Sequence, residues 1–147
     1  MDAPVGLHDD DDLWRRIPCN KIIEGKPPIN YIVPNRRKNG PKCRPSTLAF
    51  SNNSKPHVKE MSVLIAKLVL ASGRTAGDTC NTNQPYLVSF KVGLVRNDPF
   101  NREVRHTPNS AEYAHADVVG EKDHKLQKEL TRQFKWVIEP DPSECDQ

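Results

Sequence analysis

The chain has 147 residues, 35% of them hydrophobic, with a mean hydropathy of −0.73 and a formal net charge of +3. That length fits one domain with a modest core, and the composition argues against full disorder. The charge is too small to make a nucleic-acid binder by itself, and no apolar run reaches the length of a membrane span.

Residues 1–12 read as a disordered acidic tail, with Asp9–Asp12 as a solvated run. Ordered structure begins at Leu13-Trp14-Arg15-Arg16-Ile17 and is punctuated by Pro18. Ile29–Val33 is rich in β-formers and reads as a strand closed by Pro34. The basic run of Arg36, Arg37, Lys38, Lys42 and Arg44 surrounds Asn39-Gly40-Pro41, a loop signal. Leu48–Phe50 reads as a short strand, and Asn52, Asn53 and Ser54 as the next loop.

From Pro56 to Ser72, Met61, Leu64, Ile65, Leu68 and Val69 recur at helical spacing, with Gly73 just past the end, which predicts a buried helix. Tyr86–Val95 fits both an alternating strand and a helix face, and the reading leans to helix with Pro85 at its start. Arg102–His106 is expected to be extended and Ala116–Val119 to be a strand. Leu126, Leu130 and Phe134 form a narrow stripe on a charged helix from Glu121 to Lys135. Trp136–Ile138 reads as a final strand ended by Pro140, and 140–147 as a polar tail. There is no internal repeat.

Cys19, Cys43, Cys80 and Cys145 are widely spaced and contain no Cys-x-x-Cys pair, so they are expected to be reduced and unpaired. Asp2, with no basic start followed by an apolar core, argues against a signal peptide, and the cytosol is the expected compartment.

Four groups of residues could carry chemistry. His106, His115, Asp117, Glu121 and His124 combine imidazoles and carboxylates of the kind that bind metals or move protons. His115 and Asp117 share one face of a strand, and Glu121 and His124 one face of a helix. The plainer reading is that the carboxylates flank a helix start, so no metal and no cofactor is expected. Arg44-Pro45-Ser46-Thr47 could bind an anion, with Arg15 and Arg16 nearby, or could simply be a turn fixed by Pro45. The basic run with Tyr31 could follow a single-stranded nucleic acid, yet only one aromatic is near it. Cys80 sits in a polar loop, but no partner base is evident for a nucleophile.

Nucleotide-triphosphatase loops and hydrolase nucleophile elbows are absent. Lys122 directly follows Glu121, which breaks the Glu-x-Lys spacing of a nuclease site. His115-Ala116-Asp117 lacks the glutamate and the later cysteine pair of a zinc deaminase.

Three blocks together resemble a group of small uncharacterised bacterial proteins: Leu13–Pro18, Arg44–Phe50, and His115–Lys122 with Trp136-Val137 behind it. The resemblance spans Leu13 to Ile138 and implies a bacterial intracellular protein working beside a larger partner. It transfers no catalytic residue. A looser resemblance to ADP-ribosyltransferase-like folds would give roles to Arg15, Ser46 and a late Glu, although their glycine-rich surroundings are missing.

The expected molecule is a single α+β domain over 13–139, a small mixed sheet packed by two or three helices. The expected function is a non-enzymatic interaction module of a bacterial cytosolic system, with a protein partner and no membrane. Its partner surface would combine Arg44, Ser46 and Thr47 with His115, Asp117, Glu121 and Lys122. The alternatives are an enzyme acting on a nucleotide or nucleic acid, with Arg15, Arg44, Ser46, His115 and Asp117 in one cleft, or a nucleic-acid binder using the basic loop.

Overall fold

The structure is a computed structural model that describes residues 6–37, 39–51 and 60–145. Its strands are β1 (Asp12–Ile17), β2 (Ile32–Pro34), β3 (Cys43–Pro45), β4 (Glu60–Ile65), β5 (Tyr86–Lys91), β6 (Glu103–His106), β7 (His115–Val119) and β8 (Lys135–Ile138). Its helices are α1 (Ala66–Ala71), α2 (Val92–Arg96) and α3 (His124–Gln133). Six strands form one sheet in the order β6-β7-β4-β1-β5-β8, and β2 and β3 form a separate ribbon. Every strand pairing is antiparallel. The α+β class expected from the sequence is the class found. No helix among the described residues is long and apolar enough to cross a membrane.

The main core lies on one face of the sheet. There Leu13, Ile17, Met61, Val63, Ile65, Val88, Phe90, Ala116 and Val118 meet Leu126 and Leu130 of α3 and Phe50. The opposite face carries a smaller cluster in which Trp14, Leu64 and Leu87 pack under Ala66, Val69 and Ala114. Central strands are therefore buried on both sides, and this explains two corrections.

Glu60–Ile65 is a strand, not the body of a helix. Met61, Val63 and Ile65 face the main core while Leu64 packs against Trp14, so the run is almost continuously apolar, and a helix template fits it as well as a strand template does. Only Ala66–Ala71 is helical, ending at Ser72 with Gly73 at φ +82°. The expected start at Pro56 and the Asn52–Ser54 loop lie outside the described residues. Tyr86–Lys91 is likewise a strand, and the helix expected there is confined to Val92–Arg96.

Leu48–Phe50 belongs to a short 3-10 turn, Thr47–Phe50, that packs on α3, where Gln127 Nε2 donates to the Phe50 carbonyl at 3.1 Å. The α3 helix starts later than the sequence reading has it. Asp123 is the N-cap, accepting from the Leu126 N–H at 2.9 Å, and Glu121 precedes the helix.

The acidic run expected as a solvated tail is tied to the body. Asp9 pairs with Arg96 at 2.7 Å, Asp11 with Lys67 at 2.8 Å and Asp12 with Lys91 at 2.9 Å. Cys43 and Cys145, expected as free thiols, form a disulfide across 102 residues with Cα atoms 5.8 Å apart, while Cys19 and Cys80 stay free. The bridge fastens the β2–β3 ribbon to the C-terminal segment. Asn20 does the same, donating to the carbonyls of Ile32 at 3.0 Å and Glu144 at 3.1 Å, and Trp136 Nε1 donates to the Cys43 carbonyl at 2.9 Å.

Candidate functional site

The five residues proposed for one cleft do not all meet. Strand alternation sends Arg15 to the main-core face with Leu13 and Ile17, and sends His115 and Asp117 to the opposite face with Ser62 and Leu64. Arg44 and Ser46 belong to the ribbon and its exit. They line a groove of about 530 Å³ with Val33, Pro34, Arg36 and Thr47. Arg15 and His115 line a different cavity of about 260 Å³.

That smaller cavity arises from a fault in the sheet. β1 pairs with β5 at six positions but with β4 only at Leu13↔Ile65 and Trp14↔Leu64. Beyond Trp14 the two central strands part. The Arg15 guanidinium takes over the lost ladder: Nη1 donates to the Ser62 carbonyl at 2.7 Å, Nε to the Ala49 carbonyl at 3.1 Å and Nη2 to the Ser51 carbonyl at 3.4 Å. Burial pushes its pKa down to about 10, with the neighbouring Arg16 charge acting in the same direction. Arg16 points to the other face, where Nη1 donates to the Thr79 carbonyl at 3.4 Å.

His115 and Asp117 are tied together through Thr107. The Thr107 hydroxyl donates to Asp117 Oδ2 at 2.9 Å and also lies 2.9 Å from His115 Nδ1, which is 3.0 Å from the Thr107 carbonyl. His115 Nε2 stands 3.9 Å from Asp117 Oδ1. His106 instead faces the main core, with Nε2 2.6 Å from the Tyr113 carbonyl. His124 is exposed at the start of α3, and Glu121 does not share its helix face. No group of three or more metal-ligating side chains converges among the described residues.

Lys122 and Asp117 are buried, so neither is presented on an outer surface. The Lys122 ammonium donates to the Gly120 carbonyl, and burial, with Arg102 nearby, lowers its pKa to about 8. Burial likewise raises the Cys80 thiol, the reverse of what a nucleophile needs.

In the ribbon groove the Ser46 hydroxyl donates to the Asn30 carbonyl at 2.6 Å, and Arg44 Nη1 to the Pro45 carbonyl at 3.1 Å. Burial and the Arg36 charge both lower the Arg44 pKa. Arg36 is exposed, and Leu48, which follows Thr47 of the groove in the chain, is 52% exposed.

Ser62 and Gln84 line the cavity but are not candidates in the sequence reading, and Arg16, expected beside the Arg44–Thr47 loop, lines this cavity instead. Alternation along β1 could have separated Arg16 from Arg15, whereas no sequence signal brings Gln84 to this place. Compared with known proteins, the chain matches no family model, no curated protein and no solved structure.

Proposed function

We propose that this chain is a non-enzymatic interaction module, an accessory of a larger bacterial system, that docks onto an acidic surface of a protein partner through the β2–β3 ribbon. One observation carries the reading. The side chains that could do chemistry are already engaged: Arg15 with three carbonyls, Ser46 with the Asn30 carbonyl, His115 and Asp117 with Thr107. Arg36 and Thr47, in contrast, line an open groove with Arg44, whose side chain donates to the carbonyl of the adjacent Pro45, and Leu48, next in the chain after Thr47, is exposed. Clustered cations next to an exposed apolar side chain suit a complementary acidic surface.

The partner surface is thus taken as the ribbon alone, because Asp117 and Lys122 are buried and His115 lines a different cavity from Arg44. The bacterial setting rests on the resemblance of the three sequence blocks. The Cys43–Cys145 bridge argues against the cytosol, which keeps thiols reduced.

The test is co-purification from the protein's own cells, comparing the native chain with Arg44→Glu and His115→Ala. The reading expects a stoichiometric protein partner that Arg44→Glu loses and His115→Ala retains. A partner set unchanged by Arg44→Glu overturns it.

A further inference from the structure

We infer that the cavity where β1 and β4 part is a binding site for a small oxyanion, a carboxylate or phosphate group, held by Arg16 with His115 and Gln84 beside it. This inference is independent of the ribbon surface. It starts from the ladder itself. A central strand normally exchanges backbone hydrogen bonds with both neighbours, and here the exchange stops after Trp14↔Leu64 in the middle of the sheet. The opening is a polar cavity of about 260 Å³, walled by Arg16, Ser62, Gln84 and His115 above Trp14 and Leu64.

Charge selects the ligand. Arg15 also lines this cavity, and its buried guanidinium is held only by neutral carbonyl oxygens. Among the described residues no carboxylate lies within ion-pair distance of it. A buried cation without a counter-ion raises the local positive potential, and the low dielectric around it strengthens that effect. Arg16 adds a second cation, and only one of its five N–H donors is engaged, with Thr79. A planar fork of this kind matches a carboxylate or phosphate. The carboxylate within electrostatic reach of Arg16 is Glu112, and both of its oxygens are taken by Arg74 at 2.6 and 2.7 Å, while Asp117 accepts from Thr107.

The walls are preorganised. His115 is oriented through Nδ1 by Thr107, leaving Nε2 as its second polar atom. Gln84 closes a tight turn in which Asn81 Oδ1 accepts from the N–H groups of Asn83 and Gln84, both at 2.9 Å. Trp14 and Leu64 supply an apolar floor. Such a mixture of a few converging donors over an apolar base is the usual make-up of a small-ligand site.

The experiment is amide chemical-shift mapping of the full chain, titrated separately with inorganic phosphate and with glutarate. The expected result is saturable shifts at Arg15–Ile17, Ser62–Leu64 and His115 with at least one probe, and which probe acts separates the phosphate source from the carboxylate source. Arg16→Leu weakens binding at least about tenfold, while Arg16→Lys is intermediate because it keeps charge without the fork. Arg44→Glu leaves it unchanged. A dispersed spectrum for each variant shows that the fold is kept. No saturable shift with either probe, shifts confined to the β2–β3 ribbon, or undiminished affinity in Arg16→Leu overturns the assignment.

Discussion

The Arg15 guanidinium donates to the carbonyl of Ser62, on the neighbouring strand, at 2.7 Å, where β1 and β4 cease to pair. Sequence-distant carbonyls at Ala49 and Ser51 share the same side chain. One arginine therefore ties the sheet to the turn that follows the ribbon. Replacing it by Ala leaves three acceptors without their donor and opens a void in the core. Arg15→Ala is expected to lose about 3–5 kcal/mol of stability by urea unfolding, and Arg15→Met less, because it refills the space. A loss below about 1 kcal/mol for Arg15→Ala would remove the guanidinium from this role.

The Cys43–Cys145 bridge closes most of the chain into one loop. Chain-entropy arguments put its contribution near about 4–5 kcal/mol for a loop of this length. Reduction, or the double substitution Cys43→Ser with Cys145→Ser, should lower the melting temperature markedly. Alkylation of the native protein followed by mass spectrometry should label Cys19 and Cys80 alone.

Lys122 gives a pH signature. Its folded pKa is lowered to about 8 from the ordinary 10.5. Between those values the unfolded chain holds a proton that the folded chain has released, so stability rises with pH. Relative to Lys122→Met, the native protein should gain roughly 2–3 kcal/mol between pH 7.5 and 10.5. Comparing the two proteins cancels Arg15, which is present in both. A flat difference across that range would place Lys122 in ordinary solvent.

Asp123 caps α3 through the Leu126 N–H. Asp123→Ala should cost about 1 kcal/mol in thermal or chemical unfolding, and Asp123→Asn much less.

What the sequence discloses follows burial. His115–Val119 and Lys135–Ile138 are legible as strands because turn signals bound them and their β-formers stand out. The stripe of Leu126 and Leu130 is legible as a helix because its other faces are charged. Glu60–Ile65 and Tyr86–Lys91 mislead because both faces are covered, which erases the alternation that marks a strand. The site is less legible still. An arginine flanked two residues away by Leu13 and Ile17 does announce a core-facing cation, but nothing local says that Ser62, 47 residues on, will receive it. The bridge between Cys43 and Cys145 is hidden in the same way, since it depends on where the ribbon docks.

The most direct test of the interaction reading is photo-crosslinking in the protein's own cells, with a photoreactive amino acid in place of the exposed Leu48 and a control probe at His124. The account predicts one dominant protein adduct at the Leu48 position, lost when Arg44→Glu is added and absent from the control. No adduct at that position, or one indifferent to Arg44→Glu, would contradict it.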